Sequence, residues 1–123
     1  MLRVIEPVEI EFTTSVDIEE ARQRVLSALR RIGGRVKVDS SRDIVAGFGS
    51  GWKVRLLGVL LCGIECFPRD VVVAIRTTND KTNLKVSVRD TFGFGSRAGV
   101  GDRIQKLMYD NALAVKSAFP DAD

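Results

Sequence analysis

Two helix-like segments that flank a run of strand-like segments constrain the fold of this chain most strongly. A first strand-like segment precedes the first helix, further strand-like segments follow it, and the second helix closes the sequence. Each helix-like segment is apolar on one side only, so each must bury that side against another layer. The order therefore predicts one sheet with both helices packed on the same face.

The first helix is predicted over residues 18–32. Asp17 offers a helix-capping side chain, and Gly33-Gly34 supplies a left-handed stop at the C-terminal end. The apolar side chains recur at the 3.6-residue helical period. They are Ile18, Ala21, Val25, Ala28, Leu29 and Ile32.

Alternation of apolar and polar residues predicts the strands. Residues 35–49 form a predicted hairpin with a turn at 39–42, residues 79–83 connect the last two strands, and the second helix begins near Gly101-Asp102. The alternating segments start at Val8, Val36, Ile44, Trp52, Val71 and Leu84. We therefore predict an α+β two-layer sandwich in which a mostly antiparallel sheet of five to six strands carries two helices on one face. This β-α-β(4-5)-α order is helix-grip or TBP-like, and residues 1–123 form a single domain.

Composition indicates a globular protein with modest positive charge. Apolar residues make up 45% and charged residues 28% of the chain, and the net charge is +3. The longest apolar stretch, Leu56 to Ile64, is far shorter than the roughly twenty residues of a membrane helix. The first ten residues do not resemble a signal peptide. These features predict a cytoplasmic protein without a membrane span.

Two cysteines, Cys62 and Cys66, are spaced C-x3-C. A reducing cytosol favours free, buried thiols, and a disulfide or redox pair is the alternative. As a zinc site the pair is two ligands short. We predict no metal and no cofactor.

Catalytic residues are not evident. The chain contains no histidine, which excludes Ser-His and Cys-His nucleophile pairs and the commonest general base. The candidate carboxylates lie at strand ends or in turns, where aspartate is common for local reasons. The sequence therefore leaves enzymatic activity undecided but favours its absence, and we rank an enzyme last among the functions.

Two similar glycine loops, residues 47–50 and 93–96, are candidate anion sites. Backbone amides at Gly93 and Gly95, with Arg97 and Arg103 nearby, would cradle an anion at the start of the second helix. A dinucleotide fingerprint requires a following parallel strand, and the chain ends after this helix. The alternative is that these glycines form bulges and tight bends.

The polar half of the strands is rich in cations. A basic sheet face of this kind is able to bind a polyanion such as nucleic acid, although a solvated face with cross-strand ion pairs is the alternative. The aromatic side chains fall in the apolar half of the strands, which argues against nucleic acid. The cations are Arg35, Lys37, Lys53, Arg55, Arg76, Lys85 and Arg89.

Two further hypotheses concern apolar surfaces. Helix-grip folds often leave a cavity between sheet and helices, which predicts a small apolar or amphipathic ligand. Its candidate lining is Phe12, Val25, Leu29, Phe48, Trp52, Val73, Leu107 and Met108. The segment that holds Leu57, Leu60 and Ile64 predicts an interface with another protein or with a second copy of this chain. We rank the interaction or homo-oligomerisation module first, ligand binding second and polyanion binding third.

Part of the sequence resembles a known family. Residues 67–76, residues 86–89 and residues 97–104 are similar to the C-terminal half of the DUF1499 family, an uncharacterised bacterial domain. The likeness covers mainly residues 67–104. Two departures are Arg69-Asp70 in place of an acidic pair and residues 90–94 in place of a serine-rich segment. The resemblance implies a family label and no activity.

Overall fold

Five strands and two helices make up the described part of the molecule. The computed structural model describes residues 6–40, 42–49, 66–90 and 101–122. In chain order the elements are β1 (Val8–Thr14), α1 (Ile18–Arg31), β2 (Arg35–Asp39), β3 (Asp43–Phe48), β4 (Arg69–Thr78), β5 (Lys81–Asp90) and α2 (Gly101–Lys116). The predicted α+β class and the element order within these residues are confirmed. The strand predicted at Trp52 lies outside the described residues.

The strands form one sheet in the order β1-β5-β4-β3-β2, and each neighbouring pair is antiparallel. Strand β1 pairs along its whole length with β5, from which it is separated by most of the chain. Among the strands of the described residues, β4 therefore lies at the centre, with two strands on each side, and β1 and β2 are the two edges.

The ends of α1 follow the local signals of the sequence. The Asp17 carboxylate accepts a hydrogen bond of 2.8 Å from the backbone N–H of Glu20, as expected for an N-cap. After the helix, Gly33 has a φ of +92°, the left-handed conformation of a C-terminal stop. The first residue of α2, Gly101, is also the residue at which the sequence predicts the helix to begin.

The turn between β4 and β5 is shorter than predicted. Asn79 and Asp80 have φ values of 50° and 65°, and Thr78 pairs directly with Lys81. Two central residues with positive φ define a type I′ hairpin turn, and asparagine and aspartate tolerate that conformation. Residues 81–83, which the sequence places in the connection, therefore belong to β5.

A bulge in β2 changes the direction of one valine. Val36 pairs with Ala46, Val38 pairs with Val45, and the register shifts between them. Because the extra residue interrupts the alternation, Val36 packs against the core while Val38 is 47% exposed. The simple alternation seen in the sequence, which pairs Val36 with Val38 on one face, is wrong at this point.

The core lies against one face of the sheet, which we call the inner face. Helix α1 contacts β4 and β2, helix α2 contacts β5, β1 and β4, and the two helices contact each other. Alternate strand residues and the apolar sides of both helices form a single buried cluster. Its strand members include Phe12, Ile44, Ala46, Phe48, Val71, Val73, Ile75, Leu84, Val86 and Val88. The intervening strand residues form the opposite, outer face.

Candidate interaction surface on the outer face of the sheet

The centre of the outer face is apolar. The strand registers align Val38, Val45 and Val72 in one row across β2, β3 and β4, and the row continues through Ser87 to Glu9. Ala74 follows Val72 on the same face of β4. We call Val38, Val45, Val72 and Ala74 the apolar strip. Val38 is exposed and the other three are half-buried, so the strip is accessible from one side of the molecule.

Ion pairs border the apolar strip. The Lys85 ammonium lies 3.5 Å from the Glu9 carboxylate, and the Arg76 guanidinium lies 3.5 Å from that of Asp43. About half of each of these four side chains is exposed. Pairs this long and this exposed contribute little to stability. Their cations and anions therefore remain available to a partner.

A tighter ion pair lies at one end of the same face. The Lys37 ammonium donates to Asp70 Oδ1 at 2.8 Å, although these residues belong to strands that flank β3. The lysine side chain crosses β3 at Gly47, where an added Cβ would lie only 2.5 Å from Lys37 Cε. Asp70 is 9% exposed, so this contact compensates a carboxylate that is largely removed from water.

The cations of the predicted basic face are thus mixed with acids. Of its five described members, Lys37, Arg76 and Lys85 form ion pairs. Arg35 donates to the Gly49 carbonyl at 2.8 Å, and Arg89 is exposed and pairs in register with Asp70. Lys53 and Arg55 lie outside the described residues. Polyanion binding stays a prediction, and these acids oppose it because they repel phosphate.

Charge is distributed unevenly across the outer face. The β1 edge carries Glu9 and Glu11, and the β2 edge carries Arg35 and Lys37. Glu11 accepts a hydrogen bond of 2.9 Å from the Asn83 amide and pairs in register with Lys85. The two edge strands therefore carry opposite charges on this face, whereas Lys85 and Arg89 on β5 and Asp43 on β3 mix the signs on the strands beside them.

A charged cluster also links α1 to the end of β2. Arg22 donates to Glu19 at 3.0 Å and contacts Asp39 as well. The hydrogen bond from Arg22, supported by one from Gln23, lowers the pKa of Glu19. Hydrogen bonds to Glu19 and then to Asp39 raise the pKa of Arg22. The cluster links the helix to the edge strand.

The inner face contains a buried arginine that the sequence analysis missed. Arg69 is 4% exposed, and its Nε donates to Asn111 Oδ1 at 2.6 Å. Its NH1 donates to the Phe67 carbonyl at 2.9 Å, and the guanidinium lies 5.1 Å from the Phe48 ring centroid. Two features of the sequence indicate this contact. Arg69 precedes Val71 by two residues and therefore lies on the same, inner face of β4. Residue 111 falls within the apolar side of α2.

The residues predicted to line a ligand cavity are mostly core residues. Phe12, Val25, Leu29, Phe48, Val73 and Met108 are buried, Leu107 is half-buried, and Trp52 lies outside the described residues. A shallow surface groove of about 330 Å³ lies elsewhere, along α1 and beside the turn after α2. Its lining is Glu20, Gln23, Arg24, Ser27, Arg31 and Ala118. A ligand between sheet and helices stays a prediction.

The other predicted sites are described only in part. Arg103 is exposed in the first turn of α2. Gly49, in the first glycine loop, has a φ of +79° and lies against the carbonyl groups of Cys66 and Phe67, which fits the tight-bend interpretation. Gly93, Gly95 and Arg97 of the anion site and Leu57, Leu60 and Ile64 of the interface segment lie outside the described residues.

The prediction of a free thiol at Cys66 is wrong. Cys66 is disulfide-bonded, and the chain contains one other cysteine, Cys62, which lies outside the described residues. The prediction assumed a reducing compartment, whereas the close C-x3-C spacing permits a bridge. Within the described residues, no group of three or more metal-ligating side chains is placed to hold a metal ion. In the same part of the chain, no helix is long and apolar enough to cross a membrane.

Comparison with known proteins adds no further information about the surface. No protein-family model matches this chain, and no curated protein matches it. The resemblance to the DUF1499 family therefore stays a prediction. Function has to be argued from the surface itself.

Proposed function

We propose that this protein is a non-catalytic interaction module that self-associates through the outer face of its sheet. The main observation that supports this proposal is the apolar strip. A solvated face of an antiparallel sheet ordinarily alternates polar residues with the buried ones, whereas here three neighbouring strands present valine in one row. A second protein surface would remove these side chains from water.

The size of the face supports a weak dimer. Five strands spaced about 4.8 Å apart, with a length of roughly 25 Å, present about 600 Å² of projected area per copy. Specific interfaces bury around 800 Å² per partner, and transient ones bury less. We therefore expect a dissociation constant in the micromolar range. The exposed ion pairs around the strip would form the polar rim of such an interface.

We also infer that both helices lie together on the inner face, in a helix-grip or TBP-like arrangement. The contact between α1 and α2 and the single core cluster support this inference. The pairing of the first strand with the last supports it as well. With the two described helices on the inner face, the described elements leave the outer face for a partner. Cytoplasmic location stays a prediction of the sequence, and the disulfide at Cys66 opposes it because disulfides persist mainly in oxidising compartments.

Sedimentation velocity of wild type and two matched variants tests the self-association. Val38→Glu places a charge within the apolar strip, and Leu113→Glu makes the same kind of change on α2, at a residue that is 38% exposed. We expect wild type and Leu113→Glu to dimerise at micromolar concentration and Val38→Glu to remain monomeric with an unchanged circular dichroism spectrum. Wild type that stays monomeric up to millimolar concentration refutes the proposal. The proposal is also refuted if Leu113→Glu abolishes dimerisation and Val38→Glu does not.

A further inference from the structure

One end of the outer face carries more cations than anions. Four residues lie side by side there on neighbouring strands, and we call them the basic row. They are Arg35 on β2, Gly47 on β3, Asp70 on β4 and Arg89 on β5. Both arginines are exposed, and three strand spacings place their Cα atoms about 14 Å apart. The two guanidinium groups therefore flank the glycine and the aspartate.

Lys37 adds a third cation at the middle of the basic row. Its side chain crosses β3 at Gly47, and its ammonium donates to Asp70 Oδ1 at 2.8 Å. The lysine side chain is 51% exposed and that of Asp70 is 13% exposed, so solvent reaches the cation more readily than the carboxylate. An ammonium has three N–H donors, and this contact uses one of them. The other two are available to a ligand.

The two arginines also have unused donors. Arg35 donates to the Gly49 carbonyl through NH2, and a guanidinium has five N–H groups in all. Among the described residues Arg89 has no hydrogen-bonding or ion-pair partner for its side chain, although it pairs in register with Asp70. The basic row and Lys37 thus bring three cations against one carboxylate, a net charge of +2.

The other described carboxylates of the outer face lie farther along the strands. Glu9 belongs to the adjacent row, about 7 Å along the strands, and its charge is partly balanced by Lys85. Asp43 and Glu11 lie two rows away, at about 14 Å, which exceeds the Debye length of about 8 Å at physiological ionic strength. These acids oppose a polyanion that covers the whole face. A single anionic group at the basic row is opposed mainly by Asp70.

We infer that the basic row and Lys37 bind one phosphoryl group. A phosphate monoester carries a charge of about −1.5 to −2 and three acceptor oxygens, which matches the local net charge and the unused donors. Lys37 and Arg89 donate to the phosphoryl oxygens, and Arg35 contributes its charge from the opposite side. Arginine binds phosphate through two parallel N–H groups, and lysine acts as a point charge. This inference does not depend on the proposed self-association.

An NMR titration with sodium phosphate tests the site. The signals to follow are the arginine Nε–H groups and the backbone amides of Gly47 and Asp70, at about pH 8, where phosphate is a dianion. Sodium chloride keeps the ionic strength constant, so that a shift does not arise from screening alone. We expect saturable shifts at the basic row with a dissociation constant in the millimolar range. Sodium acetate should bind at least about tenfold more weakly, because it carries one charge.

A second titration with glycerol phosphate distinguishes the source of the phosphoryl group. Affinity equal to that of inorganic phosphate assigns the site to the free anion, and tighter binding assigns it to an ester. Both results support the inference. Shifts that do not saturate, or acetate that binds as tightly as phosphate, overturn it.

Matched variants locate the binding. Arg89→Gln removes an exposed cation of the basic row, and Arg30→Gln makes the same change at an exposed arginine of α1. We expect Arg89→Gln to weaken phosphate binding at least about fivefold and Arg30→Gln to bind like wild type, both with an unchanged circular dichroism spectrum. Arg89→Gln that binds phosphate like wild type overturns the inference. Sedimentation velocity measures self-association separately, so either proposal is able to fail alone.

Discussion

Truncation of Asn111 should destabilise the fold strongly, because this residue supports a buried positive charge. Arg69 and Asn111 are 4% and 7% exposed, and the 2.6 Å bond joins Arg69 Nε to Asn111 Oδ1. Asn111→Ala removes the acceptor of that N–H in a site that water does not reach. A hydrogen bond to a charged group contributes about 1.5–3 kcal/mol, and a buried donor that loses its acceptor is costly. We expect the free energy of unfolding to fall by about 3 kcal/mol.

Two further substitutions at the same position separate charge from volume. Asn111→Asp keeps the acceptor and adds a negative charge beside the guanidinium, so its stability should lie within about 1 kcal/mol of wild type. Asn111→Leu fills the space but offers no acceptor, so it should destabilise about as much as Asn111→Ala. Urea titration followed by circular dichroism measures all three, with midpoints compared at a common m-value.

Two results of the urea titrations would contradict this role of Asn111. A loss below about 0.5 kcal/mol for Asn111→Ala, which is the range of ordinary surface changes, would show that Arg69 does not depend on this acceptor. A leucine variant as stable as wild type would show that packing, rather than the hydrogen bond, is what position 111 contributes.

Two more predictions concern the Lys37–Asp70 ion pair and the C-terminal turn. Gly47→Ala should push the end of the Lys37 side chain aside and weaken its ion pair with Asp70, and the expected loss is about 1 kcal/mol because the flexible lysine is able to move. If Lys37→Met adds a further independent loss to Gly47→Ala, the crossing at Gly47 is not what holds the pair. Hydrogen bonds, first from Thr14, lower the pKa of Asp121 below its ordinary value, so this group stabilises the fold at higher pH and stops doing so as the pH falls through its folded pKa. Thr14→Val should raise that pKa in an NMR titration, and an unchanged value would exclude the hydroxyl as its cause.

Local patterns were sufficient to predict most elements. The helical period of residues 18–32 and the Asp17 cap depend on neighbouring residues only, which is why both ends of α1 agree with the structure to within one residue. The alternation in Val71–Ile75 and Leu84–Val88 likewise predicts two strands and their inward residues. The hairpin of β2 and β3 was predicted for the same reason.

The predictions that were wrong or missing depend on information that local patterns do not contain. The bulge that exposes Val38 depends on how β2 pairs with β3, and periodicity within one strand does not contain that information. The prediction of a free thiol at Cys66 rested on an assumed reducing compartment and not on a contact between residues. The buried position of Arg69 was missed because one of its hydrogen-bond acceptors, Asn111, lies on an element that follows much later in the chain.

The sequence by itself determined which segments are helices and strands, and which side of each is apolar, because these properties arise from residues within a few positions of one another. Only the tertiary structure decided that Lys37 reaches Asp70, that Arg69 donates to Asn111, and that three valines form one row. Each of these depends on strand order and register, which are set when distant segments pack into a common core. The candidate interaction surface belongs to this second group, since its apolar strip exists only after β2, β3 and β4 have paired.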